Sequence, residues 1–348
     1  RVLTSYNGIH GMPGFPYVME QCSSDYYAIA LMALWITRFH LKRLALILLG
    51  RPVENVTPWD RREAHMAFWF ICGGAAFLYY FCVRAGMTPW IVVAFFTMYY
   101  LISIGITRMR AELGPPSHDL YPIGPHRQLV EILGATNMRK DNPRDLAMFG
   151  LLNFFNRVYR GHSMPHGLEG FRIAERMKLD NMRMLIAMGL AIVLSTLTAF
   201  FSLLWVLDKY GATAQVSVLG EGLSAEIWDA VDQWFNAPPR HVAGPAYAIL
   251  TGIVFALGLA FLRMNLVWWP LHPVGYAISG SWTFTWIWLC VLIAWLIKLL
   301  LLKYGGVRAY KPAVPFFVGL ILGDFTGGFL WNIYGIVMER EIYHFWPY

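Results

Sequence analysis

The sequence predicts an all-α, polytopic helical membrane protein, with about six or seven transmembrane helices and broken or re-entrant segments. Three observations carry that reading. Of 348 residues only 14% are charged and 57% are hydrophobic, whereas soluble domains have roughly 25% charged and 45–50% apolar residues. Apolar runs close to the ~20 residues needed to cross a ~30 Å hydrocarbon core recur along the chain. None of them alternates with period two as barrel strands do, and backbone groups in lipid must be hydrogen-bonded internally, so the runs are helices. Fifteen Trp and 18 Tyr add rings suited to the membrane interface. Disorder, a secreted disulfide scaffold and a soluble enzyme are excluded by the same composition.

The runs cover 65–84, 89–107, 184–207, 243–262, 281–302 and 313–338. A further apolar segment, 26–49, carries Arg38, His40, Lys42 and Arg43 near its centre, which is costly at the midplane and predicts an interfacial or protein-packed helix. Residues 222–236 place Leu223, Ile227, Trp228, Val231, Trp234 and Phe235 at helical spacing opposite Glu226, Asp229 and Asp232, the pattern of a helix lying on a membrane or protein surface. Lys and Arg collect at 38–62 and 108–183, while 208–241 holds only Lys209 and Arg240 against five acidic residues. The first two regions are therefore expected in the cytoplasm and the third outside. By the same count Lys303, Arg308 and Lys311 fall outside, so a re-entrant stretch around 266–280 is expected to alter the parity. The chain reads as a single membrane domain, 1–348, with a long cytoplasmic connection at 111–183 that is too long and too structured in pattern to be a linker.

The net charge of +7 is scattered at the ends of apolar runs and forms no block, so it reports orientation and not nucleic acid. Cys22, Cys72, Cys82 and Cys290 show no C-x-x-C spacing and read as packing residues.

Two groups of residues suggest a substrate or proton pathway. The segment 268–280, WWPLHPVGYAISG, interrupts good helical pattern with Pro270, Pro273, Gly275 and Gly280 around His272. Backbone groups freed by such a break need other partners, and transporters use them for substrate or ions. The alternative is a loop anchored by Trp268 and Trp269. In the last run Gly319, Gly323 and Gly327 recur every four residues beside Asp324, with Asn332 two turns further on. Small-residue stripes serve packing, but a mid-span carboxyl faces a polar cavity or a partner. Arg157 and Arg160 stand where they could neutralise an anionic group. His118, His126, His162 and His166 form the only metal candidate, weakened by Pro165 within GHSMPHG. No metal role is assigned and no cofactor is predicted. The absence of G-x-x-x-x-G-K-[ST], H-E-x-x-H, G-x-S-x-G and C-x-x-C-H leaves an enzyme the less favoured class.

The motifs GPPSHDLYPIGPHRQ, FNRVYRGHSMPHGLEGFRIAER, WWPLHPVGYAISGSW and KPAVPFFVGLILGDFTGGFLWNIYG resemble those of an uncharacterised group of bacterial membrane proteins distantly similar to oligopeptide transporters. The likeness to that group covers most of the chain, and the likeness to the transporters rests on 265–338. The resemblance implies a multi-pass protein of the bacterial cytoplasmic membrane, a proton-coupled secondary transporter of peptides or peptide-like solutes. It also implies a chain about twice as long. Together with a first residue that is Arg1 and not Met, this leads to the expectation of a partner besides membrane lipids: a missing N-terminal half, another subunit or a second copy. A non-catalytic subunit of a larger membrane complex and a histidine-ligated membrane metalloenzyme are the alternative readings.

Overall fold

The computed structural model describes residues 16–54, 57–114, 124–155, 159–211, 223–239 and 243–338, and every regular element among them is helical. The helices in chain order are α1 (Val18–Ile36), α2 (Arg38–Leu48), α3 (Pro58–Arg84), α4 (Pro89–Leu113), α5 (Pro125–Leu133), α6 (Ala135–Asp141) and α7 (Pro143–Leu151). They continue with α8 (Ser163–Met177), α9 (Asn181–Tyr210), α10 (Leu223–Asn236), α11 (Gly244–Asn265), α12 (Pro273–Ser279), α13 (Trp282–Leu300) and α14 (Gly306–Met338). Among the described residues five stretches are long and apolar enough to cross a membrane: 61–84, 89–113, 181–210, 244–265 and 283–338. The first four coincide with predicted runs. The last merges two of them, because no loop separates 281–302 from 313–338. Contacts divide the chain into two units, Arg1–Thr285 and Trp286–Tyr348, at a boundary the sequence does not mark.

In the first unit α1 is the hub, packed against α11, α4 and α12. Glycines on its neighbours set the distances. A Cβ on Gly105 of α4 would lie 2.5 Å from the Tyr26 carbonyl oxygen, and one on Gly252 of α11 would lie 2.3 Å from that of Gln21. One on Gly280, just after α12, would lie 2.6 Å from the Cys22 Cβ. Only the absence of a side chain lets these backbones approach so closely. The segment 26–49 thus divides at Thr37 into a protein-packed helix, α1, and an exposed basic one, α2, on which Arg38 lies over the Trp35 and Phe39 rings.

The connection 111–183 is not set apart from the spans. Asn142 caps α7 and donates to the Gly86 carbonyl at 2.9 Å, while Asp145 accepts from the Thr88 N–H at 2.6 Å and its hydroxyl at 2.7 Å. An Asn-Pro-Arg-Asp turn thereby clamps the start of α4. From there the chain follows α4 along a ladder of rings, Phe149 on Phe95, Phe155 on Phe96 and Tyr99, then Tyr159 and His162 on Tyr99. Glu169 of α8 finally pairs with Arg110 near the end of α4, at 2.6 Å. Irregular backbone at such depth is tolerated when protein sheathes it. The amphipathic 222–236 reading resolves as a protein-surface helix: Val231 and Trp234 of α10 are buried, and α10 packs on α6 and α7.

The second unit is α13 from Trp286, a π turn over Leu301–Gly305, and α14. Gly306 takes φ 61° with ψ −164°, and a Cβ on Gly305 would lie 2.3 Å from that of Ala309. These two glycines make the break between the helices. Within this unit Asp324 and Asn332 are exposed, and no heavy atom lies within 4 Å of where a Cβ would stand on Gly319, Gly323 or Gly327.

Candidate functional site

The first half of α1, EQCSSDYY, is polar yet buried: Glu20, Ser23, Ser24 and Asp25 are each at most 8% exposed. Helical geometry turns these side chains toward two neighbours.

Toward α12, the Tyr276 hydroxyl donates to Gln21 Oε1 at 2.6 Å, and Cys22 Sγ lies 3.3 Å from Ser279 Oγ. α12 is short because the chain breaks on both sides of it. Leu266 ends α11 in extended conformation, residues 269–272 are non-helical, and His272 caps the new helix by accepting from the Val274 N–H at 3.1 Å. Pro273 then fits the first helical position. Burial and the neighbouring Arg263 hold the His272 imidazole below its ordinary pKa. The predicted interruption at 268–280 is thus a seven-residue helix between extended backbone and Gly280, packed on the polar face of α1.

Toward α5, Gln128 bridges α1 by accepting from the Tyr27 hydroxyl and donating to Ser23 Oγ at 2.9 Å. Beside it stand His126, 8% exposed with a buried Nδ1 that has no hydrogen-bond partner, and Glu131, which accepts from Arg127 at 3.1 Å through one oxygen while its Oε2 is buried without a partner. Burial, then the Arg127 charge, lowers His126 to about 4. Burial, then the Glu20 carboxylate, raises Glu131 to about 7 against the opposing pull of Arg127.

These two shifts act on stability in opposite directions. For His126 the folded pKa lies below the unfolded 6.5, so its contribution is present above pH 6.5 and is lost as pH falls toward 4. For Glu131 the folded pKa lies above the unfolded 4.5, so its contribution is present below pH 4.5 and is lost as pH rises toward 7. Between those limits they offset each other. His126→Gln should give a protein that loses about 1–3 kcal/mol from pH 4.5 to 7, and Glu131→Gln one that loses a similar amount from pH 6.5 to 4. Thermal unfolding in detergent across that range checks it, and parallel profiles for the two variants would disprove the assignment.

The sequence-predicted residues fall in different places. His272 is at the α1–α12 site, as the cap. His162, half-buried before α8, packs edge-on to Tyr99 and Tyr159, and exposed His166 lies 3.6 Å from Glu169. Helix α8 does run through Pro165, because proline is tolerated in a first turn. His126 packs near Trp234 instead. Among the described residues no three His, Cys, Asp or Glu side chains are grouped to hold a metal. His118 and Arg157 lie outside the described residues, and of Arg160 only the backbone, in a 3-10 turn, is described. Asp324 and Asn332 belong to the second unit.

Sequence reasoning passed over Glu20 to Asp25, Gln128 and Glu131. A search for long apolar runs discards a helix whose first two turns are polar. The available signal was a polar cluster, EQCSSD, leading directly into YYAIALMALWI.

No curated protein and no solved structure matches the chain. One family model covers residues 1–347, and the chain accordingly belongs to that family, described as a family of unknown function (DUF6785).

Proposed function

We propose that this protein is a secondary membrane transporter whose substrate path runs along α1 and the short helix α12. One observation carries the reading: a short helix, preceded by extended backbone and ended at Gly280, lies against the buried polar half of α1 inside a bundle of membrane-spanning length. In transporters such half-helices expose backbone groups to solute at mid-depth, and the moving parts rock around them. Counting α1 as a crossing sheathed by protein, and the second unit as two helices divided at Gly306, gives seven crossings. The motif resemblance adds the solute class, peptides or peptide-like compounds, proton coupling and a location in the bacterial cytoplasmic membrane.

α9 has no buried side chain, and the Gly319/Gly323/Gly327 stripe is bare within its unit. Both favour a partner, whether an N-terminal half, another subunit or a second copy. The reading as a subunit of a larger complex rests on the same two observations.

Proteoliposomes containing the purified protein and a pH-sensitive dye in the lumen should acidify inside when trialanine is added outside. Tyr276→Phe removes the hydroxyl that fixes α12 to Gln21, a bond worth roughly 1 kcal/mol, and should slow acidification several-fold with the protein still folded. Wild-type vesicles that neither acidify nor accumulate trialanine would overturn the peptide-transport reading.

A further inference from the structure

We propose that Asp25 is the carboxyl that binds and releases the coupling proton, a role the sequence suggested for Asp324. The inference rests on the transporter reading above and names the coupling group of that site.

Asp25 is fully buried, and neither of its oxygens has a hydrogen-bond partner. The Ala277 N–H of α12 lies beside it without the geometry of a hydrogen bond. The neighbouring hydroxyl donors are engaged elsewhere. The Ser24 hydroxyl donates to the Gln21 carbonyl at 2.8 Å, that of Ser23 to the Glu20 carbonyl at 3.0 Å, and that of Ser279 to the Tyr276 carbonyl at 2.7 Å. The Tyr276 hydroxyl is taken by Gln21 and that of Ser103 by the Tyr99 carbonyl. The glycine contacts at Tyr26, on one side, and at Gln21 and Ser24, on the other, close the helix surface immediately around it.

Titratable groups near this face are Cys22, Tyr26 and Tyr27 on α1, Tyr276 on α12 and Tyr99 on α4. The buried face of α11 carries none, Glu20 is the other acid of α1, and α5 contributes His126, Arg127 and Glu131 on the Tyr27 side. The one cation among them, Arg127, is paired with Glu131 at 3.1 Å and not with Asp25. An ionised carboxylate, stripped of water and of donors, is very costly to bury, and the group neutralises instead. Asp145 shows the contrast: equally buried, it accepts two hydrogen bonds from Thr88 and serves structure.

In the closed arrangement Asp25 is therefore a neutral acid. When α12 shifts and water reaches it, the O–H bond breaks, the proton passes to water and the carboxylate is left hydrated. Closing again requires a proton to be taken up, on whichever side the path is open. That requirement ties one proton to closing of the site around Asp25.

Infrared spectroscopy of the detergent-solubilised protein tests this without reference to transport. At neutral pH wild type should show the C=O stretch of a non-hydrogen-bonded protonated carboxyl, fading as pH rises, and Asp25→Asn should lack it. If Asp25→Asn does not fold, Asp25→Glu should move that band and leave the others in place. In vesicles, Asp25→Asn should lose pH-driven trialanine accumulation at least tenfold. Absence of the band in wild type, its removal by sodium ions at constant pH, or undiminished accumulation by Asp25→Asn would overturn the proposal. Should wild type show the titrating band yet move no trialanine, the transport reading fails while the protonation of Asp25 stands.

Discussion

Gly105→Ala and Gly252→Ala are each expected to lower stability by about 3 kcal/mol, and Gly252→Leu to yield no folded protein. A total stability of roughly 5–15 kcal/mol leaves little reserve for the double alanine variant. The reason is what the new Cβ meets. At Gly105 it is the Tyr26 carbonyl and at Gly252 the Gln21 carbonyl, and a helix backbone cannot turn aside as a side chain would. α1 would have to part from α4 or α11, exposing Asp25 and the neighbouring serines. Gly258→Ala, on the same helix as Gly252 but with no heavy atom within 4 Å, supplies the control. It should be neutral or slightly stabilising, since alanine favours a helix over glycine by about 1 kcal/mol. Size-exclusion profiles after a heating series separate these outcomes. Equal behaviour of Gly252→Ala and Gly258→Ala would mean that the close approach to α1 is not present in the folded protein.

The second large effect concerns sidedness. Because α6 and α10 pack together while α8 is tied to the far end of α4, a cysteine at exposed Asp141 should react from the same side of the membrane as one at Asp229. Cysteines at Glu112 and Lys178 should react only from the opposite side. The lysine and arginine distribution predicts an external Asp229 side, and on that expectation a membrane-impermeant maleimide added to intact cells should label the first pair nearly completely and the second hardly at all. A connection lying wholly on one side would instead label Asp141→Cys together with Lys178→Cys. That result would remove α7 and the ring ladder from the depth of the membrane.

Membrane class, helical secondary structure and four of the spans follow from the sequence alone, because the length of an apolar run and the obligation to pair every backbone group in lipid are local properties. The break at 268–280 was legible for the same reason: proline lacks a donor wherever it stands, and two prolines with two glycines stop a helix. The basic character of 38–43 likewise argued against a free span over 26–49, while the division at Thr37 is seen only in the structure. What the sequence could not reveal is which polar residues are buried against which. Glu20 to Asp25 look like a solvated helix start until α4, α11 and α12 enclose them, and those helices do so through Gly105, Gly252 and Gly280, residues far apart in the chain and individually unremarkable. Asp324, the aspartate most conspicuous in a linear reading, stands in an exposed position of its own unit. Asp25, inconspicuous among polar neighbours, is enclosed by protein with both of its oxygens unpaired. Desolvation is a property of the surroundings in three dimensions, so only the tertiary structure revealed that Asp25 is held without a partner.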